Sequence, residues 1–185
     1  MPRQFASRRA TLSLLAALFA TVPASAQEPT TGWRAEFLAT FDAAVDHYVK
    51  LAEATPADKY TWRPAEGVRS IVEVYMHVAT ANYGLARNLG GPAAPGVTMQ
   101  GLEKSTTDKA AVVKHLKDSF AHFRAAVVAF PENEPERMVR FFGPPQITAR
   151  RFLYFISAHN GEHLGQSIAY ARMNGVVPPW GTGGN

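Results

Sequence analysis

Apolar residues recur at helical spacing in four stretches of the chain, and Pro- and Gly-rich punctuation separates the stretches. The first stretch, about 31–54, carries Phe37, Phe41, Ala44, Val45 and Tyr48 on one face and ends at Thr55-Pro56. Residues 59–67, with Trp62-Arg63-Pro64, read as a loop. The second stretch opens at Ser70, an N-cap with Glu73 three residues on, which makes a capping box. Its stripe is Ile71, Val74, Val78, Leu85 and Leu89, and Gly90-Gly91-Pro92 stops it. The third begins near Thr106-Thr107-Asp108 and aligns Val112, Leu116, Phe120, Phe123 and Val127. A long proline-bearing loop, 131–145, follows and is expected to lie over one end of the molecule. The fourth stretch, about 148–174, has Gly175 placed to end it. Strand signals are thin. The pattern predicts an all-α fold, a four-helix bundle.

The length of 185 residues suits one domain, and 46% hydrophobic against 18% charged residues is a globular balance. The first 26 residues form a segment of their own. Arg3, Arg8 and Arg9 precede an apolar run from Ala10 to Val22, and Ala24-Ser25-Ala26 offers a small-x-small cleavage pattern. We expect a cleavable signal peptide over 1–26, a bundle domain over 27–180 and a flexible tail over 181–185. Ser7-Arg8-Arg9-Ala10-Thr11-Leu12 partly matches a twin-arginine signal, so either that route or Sec would make the protein periplasmic or secreted. The apolar run is too short for a comfortable membrane span, so no stable membrane association is expected after cleavage.

Charge then changes the picture. The formal net charge is +4, yet the leader holds three arginines and no acids, so the remainder sits near neutral. No basic field suggests a nucleic-acid partner. The chain has no cysteine, which excludes disulfides, a thiolate nucleophile and a Cys-type zinc site. Any metal must sit on nitrogen and oxygen ligands.

Six histidines supply the nitrogen. On the fourth helix His159 and His163 fall inside the stripe of Phe152, Phe155, Ile156 and Tyr170, four residues apart, the spacing at which one helix offers two ligands to one ion. Two adjacent interior imidazoles each carry a polar nitrogen to satisfy, and a metal satisfies both. Hydrogen bonds to carbonyls or water would do the same. His77 lies at the edge of the second helix's buried face, a position that permits a ligand without demanding one. His115 and His122 share a face turned away from their helix's stripe and read as a solvated pair. His47 flanks the core of the first helix as an alternative ligand or supporting group. Glu162 projects toward solvent, Gln166 sits one turn beyond His163, and Glu73 is chiefly a cap.

The run Trp62-Arg63-Pro64-Ala65-Glu66-Gly67-Val68-Arg69-Ser70-Ile71-Val72-Glu73-Val74-Tyr75-Met76-His77 resembles the loop and second-helix signature of the DinB family. So does His159-Asn160-Gly161-Glu162-His163-Leu164-Gly165-Gln166, followed by Tyr170-Ala171-Arg172-Met173-Asn174-Gly175 and Pro178-Pro179. The resemblance implies an up-down-down-up bundle and a three-histidine site of His77, His159 and His163 holding a divalent metal ion, usually zinc or nickel. It also implies a homodimer. Thiol-dependent transferases and a glutathione-dependent isomerase branch belong to the same family, but they are cytoplasmic chemistries and this chain is expected to be exported.

Three neutral imidazoles leave an ion's charge uncompensated and a coordination position open, which suits activation of water or an external thiol. The expected function is therefore a metal-dependent hydrolase or thiol-type transferase acting on a small molecule, with Tyr83 or Gln166 as possible helpers and no catalytic residue assigned. Two other readings stay open: a metal- or ligand-binding bundle without turnover, and a bundle whose histidines only hydrogen-bond in the core.

Overall fold

The computed structural model describes residues 27–143 and 146–181. The proposed leader, 1–26, and tail residues 182–185 lie outside the described residues. Four helices dominate: α1 Gly32–Ala54, α2 Ile71–Ala86, α3 Lys109–Ala129 and α4 Ala149–Met173. Their starts are set by side-chain caps at three of four sites. Ser70 accepts from the Glu73 amide while Glu73 reaches back to the Ser70 amide, the expected capping box. Asp108 accepts from the Ala111 amide and Thr148 from the Arg151 amide. Gly175, at φ +76°, follows α4 in the left-handed conformation that favours glycine. The expected second helix reaches residue 89, but α2 ends at Ala86 and a 3-10 turn, Arg87–Leu89, completes the run before left-handed Gly90.

Contacts between helix ends give the helix directions. The loop after α1 folds back so that Tyr60 and Trp62 carbonyls accept from the Val72 and Ile71 amides, placing the end of α1 beside the start of α2. The Lys109 ammonium at the start of α3 donates to the Glu53 and Thr55 carbonyls, at that same end. At the opposite end Arg34, near the start of α1, donates to the Val127 and Val128 carbonyls of α3 and pairs with Glu132 at 2.6 Å. The Arg150 amide at the start of α4 donates to the Pro135 carbonyl close by. Helices α1 and α4 therefore run one way, and α2 and α3 the other. This is the up-down-down-up order, and the long 87–108 connection lets two consecutive helices run parallel.

One expectation needs correction. The segment 131–145 is not loop throughout, since β1 Met138–Arg140 pairs antiparallel with β2 Gln146–Thr148. Val139 faces Ile147 and both are buried, so the hairpin adds two apolar side chains to the core. Three residues per strand are too few for alternation to stand out in the sequence. Among the described residues no helix is long and apolar enough to cross a membrane.

The core is aromatic between α1 and α3, where Phe37, Phe41, Phe120 and Phe123 stack or meet edge-on with centroids 5.3–6.3 Å apart. Tyr48 is fully buried and donates to the Asn160 carbonyl, linking α1 to α4. Trp180 stacks on His47 at 4.1 Å with an 11° interplanar angle, which docks the chain's last described residues on α1.

Candidate metal centre

His77 on α2 meets His159 and His163 on α4 where those helices face each other, with ring centroids 5.5 and 4.8 Å from His77 and 4.6 Å between the α4 pair. One ring nitrogen from each lies within 4.8 Å of the others. The i, i+4 spacing on α4 does half of this, and the interhelical packing supplies the third ring. His163 is buried while His77 and His159 are half-buried, so the cluster opens toward solvent on one side.

Hydrogen bonds select the nitrogens. His77 Nδ1 lies 3.0 Å from Glu103 Oε2, and a carboxylate only accepts, so Nδ1 carries the proton. His163 Nδ1 likewise lies 2.9 Å from Gln166 Oε1, whose amide nitrogen donates onward to the Tyr170 hydroxyl at 3.0 Å. Both rings are left with Nε2 as the open lone pair. A carboxylate or carbonyl on the far nitrogen is the arrangement that orients metal-ligating histidines. Glu103 is itself held by Arg69, 2.6 Å from Nε to Oε1.

The electrostatics favour neutral rings. Burial first, then the neighbouring imidazoles, push His159 down to about 4. Burial is also the main reason that His77 falls below its ordinary value, against the pull of Glu103 in the other direction. Neutral imidazole is the form that binds a metal. Two ligands of one tetrahedral zinc at ~2.0–2.1 Å stand ~3.4 Å apart. The nitrogens, at most 4.8 Å apart, stand within about 1.4 Å of that spacing. The residues fit a divalent ion.

The fold around this centre has relatives. A model of the DinB superfamily matches residues 40–167. The chain belongs to the DinB superfamily. Its fold is similar to that of a DinB-like protein from Bacillus cereus ATCC 10987, with a TM-score of 0.65 at 17% identity over 77% of this chain and 93% of that one. It is also similar to the DinB-like protein YjoA from Bacillus subtilis, with a TM-score of 0.61 at 22% identity and the same coverage of 77% and 93%. No curated protein matches the chain.

Within this DinB-superfamily bundle the remaining candidates separate. His47 stacks on Trp180 and is not one of the three converging rings. His122 is not the solvated residue its helix face suggested, for it is half-buried against Tyr83 at 5.8 Å, and its buried Nε2 has no hydrogen-bond partner among the described residues. His115 is half-buried as well. Tyr83, pushed up to about 12 chiefly by burial, packs there rather than at the metal centre. Glu162 is exposed, as expected. Glu73 serves its cap and pairs with Arg63 at 3.1 Å, touching no histidine. Sequence reasoning missed Glu103 and Arg69. Glu103 sits in a 3-10 turn, Leu102–Lys104, inside a connection that carries no periodicity, so nothing local marks its partnership with His77.

Proposed function

We propose that this protein holds one divalent metal ion, zinc or nickel, through His77, His159 and His163, and uses it as a metal-dependent hydrolase or thiol-type transferase. The observation that carries the reading is the convergence of three imidazole nitrogens within 4.8 Å, two of the rings having their Nδ1 already committed to Glu103 and Gln166. A bound ion of this class supplies Lewis acidity toward a substrate oxygen or thiol. The chain's own residues do the rest. Glu103 and Gln166 fix ring orientation, Arg69 fixes Glu103, and the low proton affinity of His159 keeps that ring available at neutral pH. Packing of Phe155 against His159 at 5.9 Å, with Phe141 and Phe142 against Phe155, screens one side of the cluster from water.

We further propose that the chain is exported with cleavage after Ala26, working in the periplasm or outside the cell, and that it forms a homodimer. The test begins with the full-length chain, expressed with its leader and purified from the exported fraction. Elemental analysis should find about one equivalent of a single metal, and light scattering a dimer. A hydrolase and thiol-transfer substrate panel should then give turnover that depends on that metal and disappears in His163→Ala. Metal-loaded protein with no turnover on the panel would favour the non-catalytic binding bundle. A metal-free exported protein that takes up neither zinc nor nickel would end the metal reading.

A further inference from the structure

A cavity of about 570 Å³ lies beside the metal centre and shares a wall with it. Glu103 and Gln166 line the cavity, and these are the two side chains that hold His77 and His163. A ligand seated in the cavity is therefore one residue removed from two of the three imidazoles. The rest of the lining is strongly charged. Arg63, Arg69 and Lys104 bring three cations, and Glu73 and Glu103 bring two carboxylates, so the lining carries a net +1.

Both acids are already committed. Glu73 accepts from the Ser70 amide and hydroxyl and pairs with Arg63, while Glu103 accepts from Arg69 and His77. The cations are not used up. Arg63 spends one nitrogen on the Val68 carbonyl and one on Glu73, and Arg69 turns only its Nε and one terminal nitrogen to Glu103. Each guanidinium keeps further N–H donors of its five. Lys104 is exposed and makes no ion pair among the described residues. One negative charge neutralises the lining, and planar guanidinium forks match a carboxylate. On the other side of the three rings the surroundings are apolar: Phe155 leans on His159, with Phe141 and Phe142 edge-on to Phe155 and Phe142 65% exposed.

From this juxtaposition we infer that the protein binds a small organic acid, its carboxylate held by Arg63, Arg69 and Lys104 and its apolar body directed across the histidine cluster toward Phe155. The inference rests on the proposed metal-centred function, for it names that site's substrate class. It explains why a polar, cation-lined cavity and an aromatic wall flank the same three rings.

The test titrates the metal-free protein with sodium 4-phenylbutyrate, acetate and inorganic phosphate, reading backbone amide shifts by NMR, and repeats the series in Arg63→Gln/Lys104→Gln and in Phe155→Ala. The expected result is saturable 4-phenylbutyrate binding with shifts centred on Gly67, Val68 and Glu103. The double variant should weaken it at least tenfold. Phe155→Ala should weaken 4-phenylbutyrate and leave acetate unchanged. Because Arg63 also braces its loop, Lys104→Glu serves as a second variant; its exposed side chain makes no ion pair among the described residues, and it should weaken both carboxylates with a melting temperature within a few degrees of wild type. No saturable binding, binding indifferent to Lys104→Glu, or phosphate binding tighter than 4-phenylbutyrate would overturn the inference. Zinc stoichiometry measured on the same variants separates the two claims. Retained zinc without carboxylate binding sinks only the substrate class, whereas carboxylate binding in a wild type that takes no zinc or nickel sinks the metal reading.

Discussion

Two seams of this bundle are built from rings at similar separations and opposite chemistry. Between α1 and α3, four phenylalanines pack with centroids 5.3–6.3 Å apart. Between α2 and α4, three histidines pack with centroids 4.6–5.5 Å apart. A phenyl ring needs only contact, and burial supplies its stabilisation directly. An imidazole carries two nitrogens that burial penalises unless each is satisfied. Hydrogen bonds to Glu103 and Gln166 satisfy one nitrogen on two rings and leave Nε2 on both. The first seam is complete as it stands. The second leaves Nε2 lone pairs open on two rings, and the difference lies in polar atoms rather than in packing.

The comparison breaks most sharply by truncation on each side. His159→Ala/His163→Ala should abolish metal uptake, and zinc at ~1,000 times its wild-type Kd, which should stabilise the wild type by about 4 kcal/mol, should leave the variant's melting temperature unmoved. Metal bound at wild-type affinity by this variant would mean that the histidine seam is not the site. Phe120→Ala tests the other seam. Phe120 touches both Phe41 and Tyr48 and is 2% exposed, so the change should cost about 3–5 kcal/mol in denaturant unfolding while zinc stoichiometry stays near one. If Phe120→Ala lost the metal as well, the two seams would not be independent.

The first seam was legible in the sequence and the second only in part, for a physical reason. Helical periodicity places Phe37, Phe41, Phe120 and Phe123 inward by apolarity alone, and the capping box and Gly175 mark element ends through local chemistry. His159 and His163 were legible because two imidazoles in one apolar stripe are improbable without a shared purpose. His77 needed the family resemblance, since its position at the edge of a buried face decides nothing. Glu103 and Arg69 were invisible, because their relation to His77 spans a connection whose path no local rule specifies. The strands β1 and β2 escaped for want of length. His122 was misjudged because its helix face points off the α3 stripe, yet Tyr83 of α2 covers it.

A pH series sharpens the comparison further. His159 titrates at about 4 in the fold against an ordinary 6.5, so between these values the unfolded chain binds the proton that the folded chain refuses. Its neutral form costs nothing above pH 6.5, and stability falls as pH drops from 6.5 toward 4. The full difference would correspond to roughly 3–4 kcal/mol for the metal-free protein, and solvent screening of the half-buried ring brings the loss below that. Protons compete with zinc for the folded His159 ring only as pH nears 4, so at this ring zinc binding should hold through most of the window in which metal-free stability falls. Melting of metal-free wild type at pH 7.5 and 5 should show the loss, and His159→Phe, which makes that position a phenyl like those of the other seam, should reduce it to the part that the lowered His77 contributes. A wild type equally stable at both pH values would remove the electrostatic half of the comparison.

The smallest expected effect is also the most selective. Glu103→Gln keeps a carbonyl oxygen for the His77 Nδ1 proton but removes the charge that Arg69 steadies. Removing a partner of this kind generally lowers metal affinity 10–100-fold, because the ring loses basicity and orientation rather than its place in the core. Glu73→Gln is the matched control. It lies one turn before His77 on the same helix, lines the same cavity and carries the same charge, but it spends that charge on the Ser70 cap and Arg63. The carbonyl oxygen of the new amide would still accept from the Ser70 amide, so losing the charge should cost no more than about 1 kcal/mol in stability and leave zinc affinity within about twofold. Equal losses of zinc affinity in both variants would mean that Glu103 acts only as one more negative charge near the ion. A loss confined to Glu103→Gln would mean that the contact itself matters, and that the histidine seam extends past its three rings to a carboxylate and a guanidinium in the two connections that flank α2.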